Sequence, residues 1–219
     1  MDSSAEGTFT WNSGKITSCF DHHLMDFRGQ GSSVSIIGLE SFFNSGSVRI
    51  LNGTTLLVDS CVFISGMFSP YLMLGDGIAN IKNCSFVGHS SSACINCGLS
   101  SGSAGLVDVA VTDCSFVSNL NSVLASVATV SQGCVFSMSL QSKLEDNSAP
   151  QIDCNGGNLT LDKSWNSFVQ CSSCNWGGCS VVKKKMDARK RVCLCTNFFF
   201  SRLKITPFKL CCWCSDVWH

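Results

Sequence analysis

From residue 107 to 117 the chain reads VDVAVTDCSFV, with Val107, Val109 and Val111 apolar and the residues between them charged or small. Alternation of period two puts the three valines on one face of a β-strand. Cys114 and Phe116 keep that period but start three residues after Val111, so the phase breaks between two short strands. A break of this kind is a corner, after which the apolar side chains point inward again.

The same word recurs. Aligned on the corner, the copies are ITSC (16–19), LESF (39–42), VDSC (58–61), IKNC (81–84), VTDC (111–114), VSQGC (130–134) and LDKS (161–164). Their last residues are spaced by 23, 19, 23, 30, 20 and 30. The residue before the last is Ser18, Ser41, Ser60, Asn83, Asp113, Gly133 or Lys163. Asn, Asp and Gly tolerate left-handed backbone, and Ser bonds to neighbouring backbone in turns. Two short strands and a bend, repeated about every 24 residues, describe one coil of a parallel β-helix. A β-sandwich predicts hairpins rather than a recurring word, leucine-rich repeats need a Leu lattice that is absent, and propeller blades are longer.

In such a stack equivalent residues lie about 4.8 Å apart on successive coils. Phe63, Phe86, Phe116 and Phe136 are then expected to form one internal ladder, with Cys61, Cys84, Cys114 and Cys134 as a column beside it. Regular rungs hold the Cβ atoms of that column slightly too far apart for bridging, so it reads as reduced, small apolar filler. The fold class is all-β, a parallel β-helix solenoid of about six to seven coils over residues 1–170. A Cys-rich, irregular, basic tail over 171–219 follows, read as disordered or foreign to the fold.

Charge sharpens the boundary. Residues 1–182 hold 6 Lys/Arg and 13 Asp/Glu, whereas 183–219 hold 9 and 2. The 16 cysteines favour an oxidising compartment. The opening MDSSAEGTFTWNSGK lacks the basic and apolar regions of a secretory signal, which leaves a fragment of a longer secreted chain or an intracellular protein. No run of residues approaches the ~20 apolar positions of a membrane span, so no transmembrane segment is expected.

The stretches IKNCSFVGHSS and VTDCSFVSNLNS resemble the right-handed parallel β-helix repeats of the pectin-lyase-like superfamily. They are most similar to the polymorphic outer membrane protein type, whose repeats carry Asn-Cys-Thr-Phe and Phe-x-x-Asn. Phe116 to Asn119 keeps the latter, whereas Phe63, Phe86 and Phe136 are followed by Gly66, His89 and Ser139. The resemblance covers residues about 9 to 168. It implies a right-handed solenoid, and a superfamily that includes polysaccharide lyases and hydrolases.

Glycoside hydrolysis needs two carboxylates flanking one bond. Asp59, Asp113 and Asp162 lie near corners but in different slots, with Lys82 and Thr112 between them, and read as solvated corner residues. CFDHH groups Asp21, His22, His23 and, a little further on, Asp26, and reads as a loop His pair; GHSSS at 88–92 reads as a turn. Cys94 and Cys97 form a CxxC in a Ser/Gly-rich insertion, expected as a loop disulfide or free thiols. The tail cysteines, Cys171, Cys174, Cys179, Cys193, Cys195, Cys211, Cys212 and Cys214, match no zinc-ribbon or zinc-finger spacing. KKKMDARKR (183–191) stands alone without a basic face on the repeats, so no nucleic-acid partner is expected. Sequons occur at Asn52, Asn83 and Asn158; Asn52 and Asn158 are expected to be open to glycans and Asn83 to be packed.

The functional expectation is a non-enzymatic extracellular or cell-surface segment with a structural, adhesin-like or binding role. Carbohydrate or cell-surface ligands are the expected partners, and no catalytic set, cofactor or metal site is assigned. The alternative is a polysaccharide lyase or glycoside hydrolase related module.

Overall fold

The computed structural model describes residues 7–21, 23–98, 106–121, 125–172 and 174–175. Its strands come in coils. The first coil is β1 (Thr8–Thr17) and β2 (His23–Phe27), and the second is β3 (Ser33–Phe42) and β4 (Ser47–Ile50). The third is β5 (Thr54–Asp59), β6 (Val62–Ile64) and β7 (Leu72–Leu74). The fourth is β8 (Gly77–Lys82), β9 (Ser85–Val87) and β10 (Ile95–Cys97). The fifth is β11 (Val107–Thr112), β12 (Ser115–Val117) and β13 (Ala128–Ser131), and the sixth is β14 (Cys134–Met138), β15 (Lys143–Glu145) and β16 (Ile152–Asn155). β17 (Asn158–Thr160), a short 3-10 helix (Lys163–Phe168) and β18 (Val169–Cys171) begin a seventh.

Every pairing between these strands is parallel, and the chain is a parallel β-solenoid of about six turns. It has three faces. β3 pairs with β5 through Ser33–Ile37 and with β6 through Glu40–Phe42, so one long strand serves two faces that later coils build from two strands. The first face continues through β5, β8, β11, β14 and β17, and the second through β6, β9, β12 and β15. The third face is β2, β4, β7, β10, β13, β16 and β18.

Left-handed residues make the corners. Ser13, Gly38, Ser60, Asn83 and Asp113 separate the first face from the second, with φ between 52° and 63°. Ser18, Phe43, Ser65, Gly88, Ser118 and Asp146 end the second face, with φ between 52° and 64°. For a residue with a Cβ this backbone costs roughly 1–2 kcal/mol. The coil-to-coil hydrogen bonds on either side offset that cost, as in Ser60 N–H to Lys82 O at 3.1 Å and Ser65 N–H to Val87 O at 2.8 Å. Ser60, Asn83 and Asp113 stand where the sequence places them; Ser18 belongs to the second corner, which the sequence reading did not separate from the first.

The inward columns form one core. Val34, Leu56, Ala79, Val109, Phe136 and Leu159 stack along the first face, all buried. On the second face Phe63, Phe86 and Phe116 stack nearly parallel, with ring centroids 5.0 and 4.8 Å apart and interplanar angles of 2° and 5°. Their neighbours in this column are Ser41 and Leu144, not Phe136. Phe136 pairs with Val109 and Cys134 with Val107, one face away from the expected ladder. VSQGC therefore is a different corner, the one between the third face and the first, turned by Gly133 at φ 82°. ITSC and LESF are also out of register, because Leu39 precedes Glu40 as Cys61 precedes Val62. Most corners combine an apolar residue, a left-handed residue and a small one, so different corners can carry the same word.

Cys61, Cys84 and Cys114 are buried free thiols. Each Sγ lies within reach of a carbonyl one coil back: Ile36 O at 3.4 Å, Val58 O at 3.6 Å and Ile81 O at 3.6 Å. Cys134 departs from the expectation of a reduced column, since it is bridged to Cys97 across the third corner with Cα atoms 5.9 Å apart. Ser142 occupies the next Cys position and its Oγ accepts from Cys114 N–H at 3.2 Å. A second bridge joins Cys154 to Cys174. The rest of the tail, including the KKKMDARKR run, lies outside the described residues.

Beyond the second corner an asparagine ladder ties the coils. Asn44, Asn119 and Asn147 accept from the N–H of the equivalent residue one coil back (Cys19, His89 and Asn119) at 2.7, 2.9 and 2.9 Å. Each amide nitrogen donates to a carbonyl of that same earlier coil: Ile16 O at 3.0 Å, Phe86 O at 3.0 Å and Phe116 O at 2.9 Å.

Truncating a ladder ring, Phe86→Ala or Phe116→Ala, is expected to lose about 3–5 kcal/mol of unfolding free energy in urea titrations. The double variant should show a coupling of about 0.5–1.5 kcal/mol from the ring stack. A Phe116/Phe136 pair should show none, because those rings sit on different faces.

Candidate functional site

The asparagine column is interrupted at two coils, where Gly66 and His89 stand. Tyr71 Oη takes the role of the missing amide oxygen and accepts from Gly66 N–H at 2.6 Å. Gly66 is required there, since a Cβ would lie 2.7 Å from His89 Nδ1 and closer still to the Tyr71 ring. His89 is fully buried, its ring centroid 4.4 Å from that of Tyr71 and its Nε2 2.9 Å from Ser92 Oγ. Its Nδ1 makes no hydrogen bond. Burial pushes the His89 pKa down to about 4 from 6.5, so the imidazole is neutral in the fold. GHSSS, expected as a turn, turns the second corner at Gly88 (φ 64°), with His89 buried just past it.

A second cluster lies on the outer side of the third face, where β2 and β4 place Asp26 beside Arg49. Asp26 Oδ2 receives Arg28 Nη2 at 2.6 Å and Nε at 3.0 Å, and Arg49 Nη1 stands 3.7 Å away. Arg49 Nη1 is also 3.2 Å from His23 Nε2. A guanidinium only donates, so His23 Nε2 accepts and its proton sits on Nδ1. Both arginines of residues 1–182 thus converge on one carboxylate, which sequence spacing gave no means of foreseeing. His22 lies outside the described residues, and Asp21 is exposed in the loop before β2.

Next to this cluster the inward side chains of the first coil open into a cleft of about 330 Å³. Phe9, Trp11, Ile16, Met25 and Phe27 line it, with Asp26 at its side. Trp11 folds over Gly14, whose hypothetical Cβ would fall 2.8 Å from the indole. An aromatic and aliphatic cleft with one carboxylate at its side suits recognition of a ligand with an apolar face and hydroxyl substituents.

The remaining candidates do not converge. Asp59 lies 3.1 Å from Lys82 Nζ and accepts from Asn83 Nδ2 at 3.1 Å. The Asn83 bond, followed by Lys82 and Ser60, holds its carboxyl below the usual range against the effect of burial. Asp113 is a left-handed corner residue. Asp162 caps the 3-10 helix, accepting from Ser164 N–H at 2.8 Å. Cys94 and Cys97 form no local bridge: Cys97 reaches Cys134, and Cys94 is a free thiol that burial pushes well up in pKa.

No protein-family model, no curated protein and no solved structure matches this chain.

Because His89 is neutral in the fold and titrates near 6.5 when unfolded, protons bind the unfolded chain preferentially from about pH 6.5 down to about pH 4. Stability should be flat above that window and fall as pH drops through it, by on the order of 3 kcal/mol in all. His89→Asn should abolish this component in chemical denaturation series at stepped pH.

Proposed function

We propose that the chain is a non-enzymatic β-solenoid segment of an extracellular or cell-surface protein, with a structural and binding role. The observation that carries the reading is how its chemically versatile side chains are used. Asp59, His89 and the asparagines of the ladder are engaged in contacts between coils, and where Asp26 and His23 do meet, at Arg49, they pair with its guanidinium. The Cys97–Cys134 and Cys154–Cys174 bridges support an oxidising compartment. Kinship with the pectin-lyase-like superfamily, through repeats of the polymorphic outer membrane protein type, is part of the proposal. It is supported by the structural sense of Phe-x-x-Asn: Phe116 fills the core of the second face, Ser118 turns the corner and Asn119 ties the next coil back.

Carbohydrate is the ligand class that the cleft beside Asp26 favours, with Trp11 and Phe9 offering ring faces and the Asp26 carboxylate standing where sugar hydroxyls could donate to it. The same cluster favours a second reading, a polysaccharide lyase or hydrolase related module, since Asp26, His23 and Arg49 are the types of group such chemistry employs.

Incubation of the purified chain with pectin, alginate and hyaluronan decides between them. The binding reading expects retention of polysaccharide in affinity electrophoresis, weakened at least tenfold by Trp11→Ala, with no new reducing ends and no unsaturated product absorbance. Turnover that disappears in Asp26→Asn or His23→Ala would overturn it in favour of the enzyme.

A further inference from the structure

Two sets of asparagines in this chain contrast. Asn44, Asn119, Asn121 and Asn147 spend their side-chain amides on bonds between or within coils. None has Ser or Thr two residues later; the residues there are Gly46, Asn121, Val123 and Ala149. Asn52, Asn83 and Asn158 do have the hydroxyl residue, in Asn52-Gly-Thr, Asn83-Cys-Ser and Asn158-Leu-Thr, and all three are exposed. The expectation that Asn83 is packed is corrected: Cys84 beside it is buried, while Asn83 stands outside the first corner at φ 52°.

We infer that Asn52, Asn83 and Asn158 are acceptors for N-linked glycans. This rests on the extracellular reading above. The reaction joins each Asn Nδ2 to the anomeric carbon of a polyprenyl-pyrophosphate-linked oligosaccharide. The N–C bond forms as the C–O bond to phosphate breaks, the lipid pyrophosphate leaves with the electron pair, and one amide proton is lost to the transferase. The fold tolerates the product. Asn83 Nδ2 donates one proton to Asp59 Oδ1 at 3.1 Å and Asn52 Nδ2 donates one to Arg28 O at 3.1 Å, and each keeps a second proton to exchange for the sugar.

The three sites share a side of the solenoid. Asn52 enters β5, Asn83 leaves β8 and Asn158 opens β17, all strands of the first face. Glycans there would border or cover that face along much of its length. Asn83, at the corner between the first and second faces, would also bring its glycan to the edge of the second face.

The test is expression of the full chain behind a cleavable secretion signal in eukaryotic cells, followed by peptide N-glycosidase and mass spectrometry for the aspartate left at each site. The expected result is three occupied sites, with one mobility step lost in each of Asn52→Gln, Asn83→Gln and Asn158→Gln. The enzyme should also remove the glycans from native protein without denaturant and leave the melting temperature unchanged within error. Bare asparagines on a chain whose Cys97–Cys134 bridge has formed would overturn the inference and leave the compartment reading standing. An Asn83 that stays bare on chains whose Asn52 and Asn158 are occupied would overturn the Asn83 assignment. Occupied sites on a chain that folds without the bridge would support the inference and count against the compartment reading.

Discussion

Each coil of this solenoid must return to its starting direction within about two dozen residues, and left-handed backbone at its corners makes that possible. A strand of L-residues has no intrinsic reason to bend at one place. The bends are fixed by residues at φ between 52° and 64°, at both corners in the first five coils and at the second corner alone in the sixth. Once the corners are in register, parallel pairing follows on the first and second faces, and the inward columns line up. The long strands β1 and β3 show that the corner is the more basic unit: they remain paired through Ser13 and Gly38, where later coils break into separate strands.

The asparagine ladder is the counterpart of the corners. A residue just past a tight bend presents an N–H that no strand partner receives, and an inward amide from the next coil receives it. Asn44, Asn119 and Asn147 do this with nearly the same geometry. At Gly66 the task passes to the phenol of Tyr71, and His89 fills the space left by the ladder. The substitution keeps the backbone satisfied but introduces a titratable ring into an otherwise proton-inert core.

Much of the architecture was legible in the chain because the stack repeats a local rule. VDSC, IKNC and VTDC were read in the right register, and with them the Phe63–Phe86–Phe116 stack and the Ser60, Asn83 and Asp113 corner. Misreading began where a different corner used the same residue types, as in VSQGC, or where the corner residue and its followers changed size. In the sixth coil four steps separate Met138 from Ser142, against three between Val111 and Cys114, and Leu144 replaces phenylalanine. Asn44 and Asn147 were missed for a related reason, since Ser41 and Leu144 precede them in the place of the Phe that marks the motif. The cluster at Asp26 depended on pairing between coils more than 20 residues apart, with Arg49 brought opposite by the β2–β4 register.

The bridge from Cys97 to Cys134 spans 37 positions, and the fifth coil lies within that span. In a solenoid, neighbouring coils hold one another in place and tension at the ends would peel them off in turn. A covalent clasp around one whole circuit stops that unravelling from either side. Under pulling force the coils ahead of Cys97 would then unwind as one arm, while the Cys154–Cys174 bridge shortens what the chain behind Cys134 can release, so extensible length is set by where the clasps sit rather than by how strongly each coil is packed.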